Sequence, residues 1–508
     1  MAVARVFSAQ PSLTSADIVT IETDLSRGLF AFSIVGLAGK AVEEARDRVN
    51  SAIKNSGLAA PKSENHKVVI SLAPADLKKE GPLFDLPMAL SYLIASEEVT
   101  ADMTTCICIG ELSLDGTLRP ARGVLPIVRK AKEMHFTEVI VPFENASEAA
   151  LIPDIRIIPA HTLHEVLMHI DTTRDDHTRI TEAPLTQVET LWSESSVSLD
   201  DIRGQESAKR GLMIAAAGRH NVIMVGPPGT GKTMLARAFQ GILPALTLDE
   251  ALEVTSIHSV AGTGEGISLR PPFRAPHHTA SYTALVGGGT YPRPGEVTLA
   301  HKGVLFLDEF PEFERRAIDA LRQPLEDRVV SISRIHSSAL FPADFILVAA
   351  MNPTRGGDEH GDYAHQMVET YKQKISGPIL DRIDLWLQVP HVDYETLTEK
   401  RTARPKGVQD ETDRAREKIT RARERQYARF KGLGIQTNGE MSTRDLDTCI
   451  ELSIECRTLL KRSAEKLGLS PRSYHRLIKV SRTIADLEDN DDITEAHILE
   501  ALSFRTKM

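Results

Sequence analysis

The chain has 508 residues, 42% hydrophobic and 26% charged, the balance of a soluble globular protein long enough for two to four domains. Its 60 Lys and Arg against 70 Asp and Glu give a net charge of −10, which excludes a globally basic nucleic-acid binder and leaves any such contact to a local surface. No stretch reaches the roughly 18 apolar residues of a membrane span, and the opening Met1-Ala2-Val3-Ala4-Arg5-Val6-Phe7-Ser8 is not a signal peptide, so a cytoplasmic protein is expected. Cys106, Cys108, Cys449 and Cys456 have neither zinc-knuckle nor disulfide-framework spacing and read as buried free thiols in a reducing compartment.

Residues 1–170 alternate short β-type runs with helical patterns. The runs are 17–22, 31–35, 67–72, 106–109, 138–141 and 155–158; the helical patterns are 40–56, 84–96 and 124–135. This predicts an α+β or α/β domain. Lys79-Glu80-Gly81-Pro82-Leu83-Phe84-Asp85-Leu86-Pro87 resembles the segment that carries the nucleophilic serine of Lon-type proteases. Residues 110–123, Gly110-Glu111-Leu112-Ser113 through Arg122-Gly123, are similar to the Lon and RadA strand-turn-strand that leads to the catalytic lysine. Leu83 stands at the serine position and Leu125 roughly at the lysine position. A Ser–Lys dyad needs a hydroxyl beside an amine base. The resemblance therefore implies a Lon-protease-like α+β fold without protease chemistry, serving assembly or DNA contact. Residues 171–200 are polar and acidic and are expected to form a linker.

The apolar run Val222-Ile223-Met224-Val225 leads into Gly226-Pro227-Pro228-Gly229-Thr230-Gly231-Lys232-Thr233, and a helical pattern follows. Strand, glycine-rich turn and helix in that order make a phosphate site. Backbone N–H groups and the helix N-terminus cradle a polyphosphate. Lys232 reaches the β- and γ-phosphates of ATP, and the Thr233 hydroxyl ligates Mg²⁺. Upstream, residues 201–210 resemble the segment that packs on adenine in AAA+ ATPases, with Ile202 and Gly204 as the base contacts; the alternative there is an ordinary amphipathic helix.

Gly303-Val304-Leu305-Phe306-Leu307-Asp308-Glu309 reads as a buried parallel strand ending in two carboxylates. Asp308 is expected to hold Mg²⁺ through water, and Glu309 to orient or deprotonate the attacking water. A second apolar strand, 345–351, ends at Asn352. In an AAA+ sheet this strand lies between the two nucleotide strands and its Asn senses the γ-phosphate; the alternative is a turn-forming Asn before Pro353. Arg382, in Leu380-Asp381-Arg382-Ile383-Asp384, matches the arginine finger of magnesium-chelatase-like AAA+ proteins, supplied to the neighbouring subunit. The alternative is a surface pair with Asp381 or Asp384.

The stretch between Lys232 and Asp308 exceeds what a minimal ATPase core needs. The excess, roughly 261–301, is rich in Gly and Pro and reads as an inserted loop or hairpin; 328–336 is a second candidate hairpin. Such insertions line the central pore in one AAA+ clade, where Arg274, His277, His278, Arg334 and His336 would meet a phosphate backbone. Adjacent histidines with no acid-rich partner at ligand spacing argue against a metal at His277 and His278. Residues 412–431 carry an excess of Arg and Lys, either a solvated helix face with pairs such as Glu417–Arg421 or a contact for DNA or an acidic partner. Residues 440–508 are helical by pattern and resemble the AAA+ lid, with Arg472 matching the sensor-2 arginine that reaches the γ-phosphate of its own subunit.

A Lon-like region at 1–170, a chelatase-like AAA+ core with parallel sheet at 201–395 and a helical lid at 396–508 together resemble the ComM (YifB) family over nearly the whole chain. The stretches 272–281 and 294–309 carry the most specific part of the likeness. The resemblance implies a homo-hexamer that uses ATP and Mg²⁺ to drive branch migration or helicase activity on branched DNA, single- or double-stranded, in recombination and natural transformation, with recombination proteins as partners. The cysteine-bearing segment that many relatives carry after the sensor asparagine is Pro353-Thr354-Arg355-Gly356-Gly357-Asp358-Glu359-His360-Gly361-Asp362 here, without cysteine. The alternative is an ATP-driven protein-remodelling motor of magnesium-chelatase type. Leu83 and Leu125 disfavour a peptidase.

Overall fold

Alternation builds the first sheet. In the computed structural model, residues 4–12, 15–63, 66–186, 197–263, 267–288, 293–334, 337–352, 375–392 and 410–505 are described. They form two units, 1–189 with 251–268, and 190–250 with 269–508.

The first unit holds β1 (Ala4–Pro11), β2 (Ala16–Arg27), β3 (Ala31–Val35), β4 (His66–Ala73), β5 (Cys106–Cys108), the small pair β6 (Glu111–Leu112) and β7 (Leu118–Arg119), then β8 (Glu138–Pro142) and β9 (Arg156–Ala160). Val68, Ile70 and Leu72 of β4 face the core while Val69 and Ser71 stay half-exposed, the period-two pattern of a sheet buried on one face. The seven-stranded sheet runs β3-β4-β2-β1-β5-β8-β9. Pairings among β1, β2 and β4 are antiparallel; those of β3 with β4 and of β1, β5, β8 and β9 in turn are parallel. Each predicted run overlaps a strand, with Ile109 and Ile155 falling just outside β5 and β9. β1 does not stand out in the sequence, because small or polar residues such as Ala4, Ser8 and Ala9 fill its buried positions, yet it sits in mid-sheet. Leu83 and Leu125 are both buried, so the protease-dyad positions are apolar core.

The helix Asp85–Ala95 carries a charge into that core. The Asp85 carboxylate is fully buried and meets Arg48 Nε at 2.7 Å and the Leu112 N–H at 3.2 Å. Burial pushes its pKa up to about 6, against the opposing pull of Arg48. Removing Arg48 leaves an uncompensated buried carboxylate, so Arg48→Ala is expected to destabilise this unit by about 3 kcal/mol. A carboxyl raised in the folded state binds its proton more tightly there than in the unfolded chain. Stability then falls as pH rises through the raised pKa, and the penalty is expected to be larger at pH 8 than at pH 5. Urea melts at the two pH values check this; equal penalties would refute it.

Two boundaries differ from the sequence expectation. Residues 171–186 are docked on the first unit: the Ala183 N–H donates to Ile157 O of edge strand β9 (2.8 Å) and the Thr186 N–H to Ala150 O (3.0 Å). Polar composition does not prevent backbone pairing with an open sheet edge. Residues 251–268 also belong to the first unit, although they lie between the phosphate loop and Asp308 in sequence. Leu252 joins its core, and Ser259 Oγ donates to Glu148 (3.0 Å) while accepting from the Gly123 N–H (3.1 Å).

The second unit contains β10 (Val222–Val225), β11 (Phe273–Arg274), the pair β12 (Gly287–Gly288) and β13 (Arg293–Pro294), β14 (Val304–Leu307), the hairpin β15 (Val329–Arg334) and β16 (Ser337–Pro342), β17 (Ile346–Met351) and β18 (Leu385–Gln388). A five-stranded parallel sheet runs β11-β14-β17-β10-β18. Every residue of β10, β14 and β17 is buried, as continuous apolar runs require between helical layers. The helices Glu411–Arg429, Thr443–Cys449, Ile454–Leu467, Pro471–Leu487 and Glu495–Ser503 follow. Ser470 caps Pro471–Leu487 with proline at its first position, and Thr494 caps the last helix. Asp486, fully buried, joins Arg429, Arg482 and Asn438 inside this bundle. Among the described residues no helix is long and apolar enough to cross a membrane.

Candidate nucleotide site

Strand β10 delivers the chain to Gly226 at the C-terminal edge of the sheet, where open α/β sheets bind ligands. A side chain at Gly226 would place its Cβ 2.0 Å from Val389 O, so only glycine fits. Gly229 and Gly231 turn with φ of +81° and +89°, and the helix Lys232–Ile242 starts at once. Thr230 Oγ1 donates to Pro227 O (2.9 Å) and braces the loop. Lys232 Nζ donates to Gly226 O (2.8 Å) and Pro227 O (2.7 Å). Burial lowers the pKa of this ammonium, with the Asp308 charge opposing.

Thr233 Oγ1 donates to Asp308 Oδ2 at 3.0 Å, which joins the end of the phosphate loop to the end of β14. A hydroxyl and a carboxylate side by side are the hard oxygen donors that Mg²⁺ takes together with water and phosphate oxygens. The residues therefore fit both the nucleotide and the metal. β17 lies between β14 and β10, as the sequence reading expected, and Asn352 follows its last residue. The Gly226 N–H donates to Met351 O (3.3 Å), so Asn352 borders the loop. Beside the loop is a cavity of about 800 Å³ lined by Ile202, Gln205, Met234, His391 and Val392. Gly204 does not line it. Gly204 turns with φ of +60° and packs at the place of its absent side chain on Val392, which does line it. Gln205, Met234, His391 and Val392 were not found from the sequence, because they carry no motif.

Glu309 has φ of +50° and donates its N–H to Asp308 Oδ1 (2.9 Å). Its carboxylate meets His278 Nδ1 at 3.1 Å. His278 thus sits on the proposed water-activating group, while His277 bonds Thr279 at 2.9 Å. Among the described residues no cluster of His, Cys, Asp and Glu is arranged to hold a metal.

Arg382 pairs with neither Asp381 nor Asp384. Asp384 is buried and taken by Arg476 (2.5 Å), and Arg476 also donates to Arg382 O (2.7 Å). Arg382 itself is buried; its Nη1 donates to Pro378 O (2.6 Å) and its Nη2 to Glu326. Arg472 Nη2 reaches the other oxygen of the same Glu326 at 2.7 Å. The two arginines expected to serve different subunits thus share one carboxylate.

The expected DNA contacts fare differently. Arg274 makes a two-pronged pair with Glu296 (2.6 and 2.8 Å), which satisfies its charge within the chain. Arg334 ends β15 of the hairpin, so the second candidate hairpin is present; His336 lies outside the described residues. On the helix Glu411–Arg429, Arg421 pairs with Asp489 rather than Glu417, Arg425 with Asp491 and Arg429 with Asp486; Arg423 is buried against Ala216 O (2.9 Å). Much of that positive excess is internal pairing.

The chain is similar to known proteins along nearly its whole length. The magnesium chelatase subunit ChlI family matches residues 198–397, the family described as subunit ChlI of Mg-chelatase matches 21–145, and the ChlI C-terminal family matches 409–505. The chain is 42% identical to competence protein ComM of Haemophilus influenzae, over 99% of this chain and 98% of that protein. It is 41% identical to the uncharacterized protein YifB of Escherichia coli, over 97% and 94%. A magnesium-chelatase 67 kDa subunit of Chlorobaculum parvum is 29% identical over 32% of this chain and 24% of that protein.

Proposed function

This chain belongs to the ComM and YifB family of magnesium-chelatase-like AAA+ proteins, and from that premise we propose that it is an ATP-hydrolysing ring motor that drives branch migration of DNA. The bond from Thr233 to Asp308 carries the ATPase part of this reading, since it joins the two motifs at one point beside the glycine loop. Lys232 exchanges the Gly226 and Pro227 carbonyls for phosphate oxygens. Thr233 and Asp308 would hold Mg²⁺, which neutralises charge on the phosphates. Glu309 orients the attacking water and receives its proton, and Asn352 helps place that water. Arg382, supplied across a subunit boundary, cancels charge on the transferring group, which makes turnover depend on assembly.

The DNA part is supported by the likeness to a competence protein over the full length and by the hairpin β15–β16 with Arg334 at its end. A remodelling motor acting on protein is the second reading. It is favoured by the chelatase matches and by the internal pairing of Arg274. The discriminating experiment is ATP turnover by the purified protein with and without a synthetic four-way DNA junction, with strand exchange followed in the same tube. Junction-stimulated turnover with exchanged strands, both absent in Glu309→Gln, is expected. Turnover indifferent to every form of DNA would sink the DNA reading.

A further inference from the structure

Beside Arg382 lies a cavity of about 490 Å³ whose charge is out of balance. Arg328, Arg382, Arg472, Arg476 and Lys479 line it; the carboxylates facing them are Glu326 and Glu440. Burial pushes the Lys479 ammonium down to about 8, with Asp384 opposing and the cations Arg476 and Arg328 adding to the fall. Arg476 is already committed to Asp384, and Arg328 stands 3.5 Å from Glu440. Glu326 is therefore left to serve both Arg382 and Arg472, one on each oxygen. The Arg382 Nε–H is buried without a hydrogen-bond acceptor among the described residues, so the guanidinium is only partly satisfied. A carboxylate bridging two arginines presents the charge and spacing of two oxygens of a phosphate.

We propose that Glu326 is a built-in substitute for the terminal phosphate of a nucleotide bound to an adjacent copy of this chain, holding Arg382 and Arg472 in the pocket until that phosphate displaces it. The proposal rests on the reading that Arg382 serves an adjacent copy, and because Arg472 shares its carboxylate it places Arg472 on that same neighbouring phosphate in place of the own-subunit role expected from the resemblance. Burial of Arg382 supports the holding role, because a guanidinium committed to its own chain is not free to cross a subunit boundary. Displacement is feasible because Glu326 is 47% exposed and Arg472 58% exposed, so water already weakens their attraction. A phosphate with more charge and three terminal oxygens outcompetes a carboxylate for two guanidinium groups. The exchange has a route outward. Glu326 lies near the end of the helix Arg322–Asp327, Arg328 follows in a left-handed turn, and β15 begins at Val329. Releasing Glu326 loosens the root of the β15–β16 hairpin, which ties nucleotide state in one copy to the hairpin of the next.

The test uses full-length protein carrying Glu326→Gln, which keeps the shape and removes the charge, with Glu326→Asp and Arg382→Ala alongside. Glu326→Gln is expected to reach half-maximal turnover at an ATP concentration about two- to fivefold lower than the parent, the span one exposed ion pair supports. Its turnover without DNA is expected to rise and its stimulation by a four-way junction to shrink, while Glu326→Asp behaves as the parent. Parent-like ATP dependence and stimulation in Glu326→Gln would overturn the proposal. So would a loss of turnover as deep as that of Arg382→Ala, since Glu326 would then support the arginines instead of restraining them. Unchanged turnover in Arg382→Ala would instead overturn the adjacent-copy reading on which the proposal rests.

Discussion

Arg382→Ala is expected to bind ATP normally and to lose hydrolysis by about 10³- to 10⁵-fold, the range for removing an arginine that cancels charge on a transferring phosphoryl group. Binding survives because Lys232, Thr233 and Asp308 make none of the contacts that Arg382 makes. Folding is expected to survive too. Arg476 holds Asp384 and the Arg382 carbonyl, and neither bond needs the Arg382 side chain. Mixing Arg382→Ala with Lys232→Ala subunits supplies the decisive control. The first brings an intact phosphate loop and the second an intact arginine, so mixed interfaces regain a complete site and part of the turnover. Single-subunit chemistry would leave the mixture as inactive as its components. Nucleotide binding by fluorescence and phosphate release in the same samples separate these outcomes.

Glu309→Gln is expected to lower turnover by about 10²- to 10⁴-fold, the usual span for a positioned general base, again with ATP binding retained. The substitution leaves the Glu309 N–H on Asp308 and the Asp308–Thr233 bond untouched, because both lie outside the changed carboxylate. The amide still offers an oxygen to His278 but cannot take a proton from water. An assembly locked in its ATP-bound state follows, seen as a complex that persists after dilution. Turnover within a few-fold of the parent would remove Glu309 from the catalytic role and turn attention to His278, the imidazole 3.1 Å from it.

How much of this was legible in advance depends on the range of the interaction. The strand runs at 67–72, 138–141 and 345–351 were readable because alternation or continuous apolarity is a local pattern that burial then enforces. The strand β1 was not, because its burial comes from neighbours on both sides and not from its own hydrophobicity. The basic stretch 412–431 was readable as charge but not as pairing, since Asp486, Asp489 and Asp491, which neutralise much of it, lie on or just beyond another helix.

The order of the nucleotide strands came with the AAA+ resemblance; by itself the sequence determined the phosphate loop and the paired carboxylates at 308 and 309. Each is written in contiguous residues whose backbone geometry is local: glycines that turn with positive φ, an apolar strand, a helix that starts at once. Only the tertiary structure decided who faces whom. Residues 251–268 left the unit their neighbours in sequence belong to. His278 met Glu309, and Arg274 was claimed by Glu296. Glu326 gathered Arg382 from 56 positions away and Arg472 from 146. Such pairs form because packing brings buried or half-buried charges within reach of one carboxylate, and no spacing in the chain records that choice.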